Sequence, residues 1–197
     1  LGAFSSAFLL YGIAMTYGAT GSTNLVRIQQ FLVDTVLIKN GMLLAGFAFM
    51  IVGLGFKVAA VPFHFWAPDV YQGSPTPISG YMASGIKAAG FAGFIRVFVV
   101  TFGGTYAQQW RPMVYALAVL SLLVGAYMAL IQTNVKRMLA YSSIAHAGFI
   151  LIGVTVATDK GTSAALFYLL VYAFMVTGSF GVVGIIGREG DGKHSLD

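Results

Sequence analysis

MLLAGFAFMIVGLGFKVAAVPFHFW, residues 42–66, decides how the rest of the chain is read. Apart from Lys57 and His64 it is apolar. At about 1.5 Å per residue it is long enough to cross roughly 30 Å of hydrocarbon. A helix on a soluble protein carries a polar stripe, whereas this one is hydrophobic on every side, as a helix solvated by lipid is. Pro62 follows Lys57 within the same stretch. Proline has no N–H, so the carbonyl of Val58 loses its intrahelical partner, and the ring crowds that turn. The pattern predicts a transmembrane helix broken around Pro62. Lys57 and freed carbonyls would stand side by side there, in a polar, hydrated pocket.

Outward from this stretch, apolar runs repeat. One lies before it, from Leu1 to Tyr17. Four follow, near 77–102, 113–131, 138–157 and 164–186, joined by short connections that make neighbours antiparallel. Between the first and second runs, Leu25, Phe31, Leu32 and Val36 alternate with Arg27, Gln29, Gln30 and Asp34, which predicts a short helix at the interface. The reading is all-α: a polytopic bundle of about six helices, with residues 1–197 as a single transmembrane domain. The chain begins inside an apolar run and ends in a polar tail, so it reads as an internal piece of a longer protein.

Composition agrees. Of 197 residues, 58% are hydrophobic and only 9% are charged, against about 25% in a typical soluble domain. The mean hydropathy is +0.84. Cysteine is absent, which excludes disulfides and thiolate-held metals or iron–sulfur clusters. The net charge of +5 comes without a Lys/Arg-rich run, so no nucleic-acid partner is expected; the lipid bilayer is the solvent. Orientation is not fixed by charge. Lys136, Arg137, Arg188 and Lys193 on one side balance Arg27, Lys39, Arg111 and Lys160 on the other.

An ionisable group at membrane depth costs several kcal/mol, so such groups are the first functional candidates. Lys57 is one. Its competing reading is a structural lysine paired with an acid on another helix. Lys87, in ISGYMASGIKAAGFAGFI, is the second. Ser84 stands three residues before it on the same helical face, and Gly80, Ala83, Ala88 and Gly90 allow a neighbour to approach. Desolvation disfavours the charged form of a buried lysine, as a carrier that holds and then releases a proton requires. His146 is the third, with Ser142 and Ser143 on its face. Imidazole suits a relay; a histidine satisfied by one interhelical hydrogen bond is the alternative. His64 follows Pro62 and either lines the break or sits at the interface beside Trp66. Arg96 holds its proton permanently and reads as structural. Lys136 and Arg137, at a helix start, read as headgroup anchors. No metal spacing, phosphate loop or Ser–His–Asp arrangement occurs.

FKVAAVPFHFWAPDVYQGSPTPISGYMASGIKAAGFAGFIRVF (56–98), LIQTNVKRMLAYSSIAHAGFILIGV (130–154) and LGAFSSAFLLYG (1–12) resemble the family of antiporter-like subunits N of bacterial NADH:quinone oxidoreductase, respiratory complex I. APDVYQGSPTP, residues 67–77, is the specific element, and the likeness covers essentially the whole chain. The resemblance implies proton translocation coupled to electron transfer that occurs in other subunits. Lys57 and Lys87 match the family's proton-channel lysines, and His146 matches a polar residue on its central hydrophilic axis. The family also implies an acid before Leu1 and a further lysine beyond Asp197. It implies no cofactor in this chain; NADH, FMN, iron–sulfur clusters and quinone belong to partner membrane and peripheral subunits. The location implied is the bacterial inner membrane, with the Asp69 loop, the Lys136 turn and the C-terminal tail facing the cytoplasm. A cation/proton antiporter subunit without redox coupling, and a purely structural membrane subunit, are the rival readings.

Overall fold

The computed structural model describes residues 1–35, 40–104 and 106–187. The described residues form eight helices: α1 (Gly2–Thr20), α2 (Leu25–Asp34), α3 (Gly41–Val58), α4 (Trp66–Gly73), α5 (Thr76–Thr101), α6 (Ala107–Leu130), α7 (Val135–Val156) and α8 (Asp159–Ile186). Five of them, α3 and α5 to α8, are long and apolar enough to cross a membrane. The sixth expected span, α1, has 19 residues but is diluted by Ser5, Ser6, Thr16 and Thr20. It lies along α3, and Ser5, Thr16 and Thr20 are buried while Ser6 stays exposed: Thr16 Oγ1 donates to the Gly12 carbonyl at 2.9 Å, and Ser5 Oγ to the Gly53 carbonyl at 3.4 Å.

Helix starts are set locally. Asn24 Oδ1 accepts the backbone N–H groups of Val26 and Arg27 at 3.0 and 3.2 Å, opening α2. Asn134 does the same for Arg137 at 3.1 Å, opening α7. Thr158 Oγ1 accepts from Gly161 N–H at 3.2 Å, opening α8. Each cap satisfies a donor that the first helical turn leaves free. The short α2 exposes Arg27, Gln29 and Gln30 and buries Leu32 as expected, but its other buried residue is Ile28, with Leu25 and Phe31 only half-buried. Val36 and Lys39 lie outside the described residues, as do Arg188 and Lys193.

The long helices approach closely where side chains are smallest. A Cβ on Gly125 of α6 would lie 2.6 Å from the Ala145 backbone nitrogen of α7, so only glycine allows this crossing. Two packed clusters result. One gathers Leu43, Phe47, Phe91, Phe94, Phe98 and Trp110; the other gathers Tyr71, Tyr141, Ile144, Tyr172 and Phe180.

Two features interrupt the regular helices. The α3 helix stops at Val58, earlier than Pro62 itself. Ala59 takes a left-handed φ of 57°, its N–H returns to the Phe56 carbonyl at 3.1 Å, and Ala60 N–H returns to Gly55 at 2.8 Å. These two bonds form a Schellman termination. Pro62, which follows a cis peptide, lies within the connection. The second feature is in α5, which winds as π-helix over Met82–Ile86 and again over Ile95–Thr101.

Candidate functional site

Lys87 is the first residue after the π turn of α5 and is 1% exposed. Its Nζ donates to the carbonyl of Ser143 on α7 and, at 3.0 Å, to Ser143 Oγ. Ser143 Oγ donates in turn to the Ala140 carbonyl at 2.8 Å. The only ion pair among the described residues is Arg137–Asp69, so Lys87 is held by a hydroxyl and a carbonyl rather than by a carboxylate. Hydrogen bonds of this kind solvate an ammonium without committing it to the charged state as an acid partner would.

The π turn settles which serine meets the lysine. A π turn accommodates one more residue than an α turn, so three positions no longer return to the same face. Ser84, expected beside Lys87, bonds back to the Gly80 carbonyl at 2.8 Å and lines a groove facing Thr177 and Gly181 of α8. Ser142 is half-buried, and the contact with Lys87 goes to Ser143.

His146, one turn along α7 from Ser143, pairs its Nδ1 with Tyr168 Oη at 2.7 Å. Its ring lies 5.0 Å from that of Tyr172. Tyr71 of α4 and Tyr172 of α8 are buried at 0% and 2% exposure. Their hydroxyls approach Ser143, and neither closes a hydrogen bond with the protein. Four helices thus bring Lys87, Ser143, Tyr71, Tyr172, Tyr168 and His146 into one polar strip across an apolar bundle. Amine, hydroxyl and imidazole groups in series can each take up and pass on a proton. Among the described residues no three His, Asp or Glu side chains cluster as metal ligands would.

The other lysine stands differently. Lys57 lies in the last turn of α3 and is exposed. Among the described residues the polar pocket expected there is not formed: the cavity at the break is lined by Phe4, Phe56, Pro62, Phe63 and Trp66 and not by Lys57, and the backbone of the break satisfies much of itself. The Phe56 carbonyl accepts from Ala59 N–H and also from Trp66 Nε1 at 2.9 Å, and Val61 N–H is held by Ser121 Oγ at 2.9 Å. Lys57 still adjoins the helix of Lys87. A Cβ at Gly90 of α5 would stand 3.8 Å from Lys57 Cβ. The position at a helix C-terminus favours a cation.

His64 lines the break and is 8% exposed, its ring 4.7 Å from Phe65 and 6.5 Å from Tyr141. Lys136 is not a headgroup anchor: it is 3% exposed and donates to the Ser74 carbonyl at 2.7 Å, capping the end of α4. Arg137 bonds Asp69 and Gln72 of α4 at 2.5 and 3.1 Å. Adjacent basic residues at a helix start read as anchors when the neighbouring helix is unknown. Arg96 is exposed on the second π segment.

The whole chain, residues 1–197, matches the family described as NADH:quinone oxidoreductase/Mrp antiporter, TM. The chain belongs to that family. It is 53% identical over 98% of its length to NADH-quinone oxidoreductase subunit N of Mycobacterium bovis, covering 36% of that protein. It superposes on a chain of respiratory complex I from Thermus thermophilus with a TM-score of 0.77 and 40% identity, over 93% of this chain and 38% of that one. A chain of the Mrp complex from Dietzia matches with a TM-score of 0.83 at 22% identity, over 94% of this chain and 33% of that one, a likeness of fold alone. The chain therefore spans little more than a third of the length of these relatives.

Within this chain, sequence reasoning missed the tyrosines. One signal existed: Tyr168 and Tyr172 are four residues apart in the middle of an apolar helix, whereas membrane tyrosines are usually enriched at the interfaces. Tyr71 carried no such signal, because its burial depends on how α4 folds back against α7 and α8.

Proposed function

We propose that this chain is part of a proton-translocating membrane subunit of a bacterial NADH:quinone oxidoreductase, equivalent to a central piece of subunit N. Protons would move along buried lysine and histidine side chains, driven by NADH-to-quinone electron transfer in partner subunits. Those partners would carry the NADH site, FMN, iron–sulfur clusters and quinone, and the assembly would reside in the bacterial inner membrane. The observation that carries the reading is Lys87: a lysine 1% exposed, without a carboxylate partner among the described residues, held on Ser143 beside the His146–Tyr168 pair. A purely structural lysine would gain more from an acid partner than from a hydroxyl.

In this mechanism Lys87 alternates between ammonium and amine. Ser143 holds either form, since its oxygen accepts from the first and its hydroxyl can turn to donate to the second. A change of charge elsewhere in the assembly shifts that balance through the low-dielectric interior. His146 takes the proton onward. Lys57, at the open end of α3 and against the α5 backbone near Gly90, loads the strip.

The test is NADH-driven proton uptake in inverted membrane vesicles, comparing wild type with Lys87→Ala in the full-length subunit at matched complex content. Loss of uptake with the complex assembled is the expected result. Unchanged uptake overturns the role of Lys87. The family's link with Mrp antiporters supports a second reading, cation/proton exchange without redox coupling, which sodium-dependent proton flux in the absence of NADH would favour.

A further inference from the structure

We infer that the polar cavity at the start of α5 and α7 binds the phosphate group of a membrane phospholipid, with Lys136 as its anchor. The inference stands apart from the proton-carrying role of Lys87. It starts from a charge that the fold hides without balancing. Lys136 is 3% exposed, and its Nζ donates to the Ser74 carbonyl at 2.7 Å. That bond uses one of the three ammonium donors, and a carbonyl brings no net charge. The one ion pair among the described residues joins Arg137 to Asp69 and leaves Lys136 out. A buried cation without a counter-ion is costly, so an anion is the partner this site calls for.

Lys136 lines a cavity of about 460 Å³ with Gln72, Ser74, Thr76 and Asn134, and no acid among the described residues lines it. The polar side chains around it are left as donors. Gln72 Oε1 is taken by the Arg137 guanidinium at 3.1 Å, and Asn134 Oδ1 by the Arg137 backbone N–H at 3.1 Å. Each amide therefore keeps its NH2 group, and Ser74 and Thr76 add hydroxyls. Two helix starts reinforce this set. α5 begins at Thr76, and α7 begins at Val135, just after Asn134. A helix N-terminus carries roughly half a positive charge and favours an anion. Depth decides which anion. Both helices are long and apolar enough to cross a membrane, so a cavity at their first residues lies at the level of the headgroups. Phosphate is the anion concentrated there, and basic pockets between transmembrane helices suit it.

The test uses the full-length subunit in its assembled complex, held in nanodiscs of phosphatidylglycerol and phosphatidylcholine. Wild type is compared with Lys136→Met, which keeps the apolar stem and removes the charge, and with Thr76→Glu. The second variant leaves Lys136 in place and supplies a carboxylate inside the cavity. An acid in a first helical turn is favourable, so it preserves the start of α5. Two measurements are made: a high-resolution structure of the wild-type complex, and labelling of the α5 and α7 segments by a photoactivatable phosphatidylglycerol. The expected results are a lipid phosphate oxygen about 2.7–2.9 Å from Lys136 Nζ and labelling that falls about tenfold in either variant. Repeating the labelling in excess inorganic phosphate separates the two sources of the anion. Undiminished labelling supports the lipid. Labelling lost to inorganic phosphate, with that ion found in the cavity, overturns the lipid as ligand. A cavity without phosphate, a protein carboxylate seated on Lys136, or equal labelling of wild type and both variants overturns the inference.

Discussion

The two packed clusters of the bundle use the same rings for different purposes. In one, Phe47, Phe94, Phe98 and Phe102 meet at centroid distances of 4.6–6.1 Å, and the one polar atom among these rings and Trp110, the indole N–H, is spent on the Phe102 carbonyl at 2.9 Å. In the other, Tyr71, Tyr141 and Tyr172 take the place of phenylalanines, and Lys87 with Ser143 runs beside them. A phenyl and a phenol fill nearly the same volume. What differs is the single oxygen, which Tyr71 and Tyr172 place beside Ser143. The first cluster holds the bundle together, and the second holds it together around a polar strip.

The sharpest way to break that contrast is to change the lysine without removing its charge. Lys87→Arg is expected to abolish NADH-driven proton uptake, by tenfold or more, because arginine does not release its proton; uptake at the wild-type rate would reduce the second cluster to mere packing. Phe98→Ala is expected to cost about 3–5 kcal/mol of stability, read as a lower unfolding temperature of the purified complex, with uptake per assembled complex unchanged. A flux defect there matching that of Lys87 would erase the distinction between the clusters. Asp69→Asn removes the Arg137 pair, whose side chains are 73% and 32% exposed, and should cost at most about 1 kcal/mol. At the edge of the first cluster, Ala157 ends α7 at a left-handed φ of 53°. Ala157→Gly should raise stability by up to about 1 kcal/mol, which equilibrium unfolding in mild detergent would detect.

The lipid-facing architecture was legible because hydropathy and length alone decide it. The broken helix was legible from Pro62, although the chain leaves α3 at Ala59 through a termination that proline does not dictate. The positions of Lys57, Lys87 and His146 were legible as charge at membrane depth, but their surroundings were not. Lys57 proves exposed, Ser84 turns away and Lys136 proves buried, since each outcome depends on which helix lies opposite. Spacing arguments also assume an unbroken α-helix, and α5 departs from one just before its lysine. The tyrosines of the polar strip escaped notice because an aromatic residue in an apolar run is read as filling.

The π turn over Met82–Ile86 bears on how this helix tolerates changes of length. A π turn is an α turn carrying one residue more. A chain shortened by one residue within it could wind the turn as α-helix and still deliver Lys87 to Ser143. The same deletion in the unbroken α-helix of α7 would turn everything beyond it by about 100° and separate His146 from Tyr168. The turn before Lys87 is a slack link, from which one residue can be lost without moving the lysine from its place.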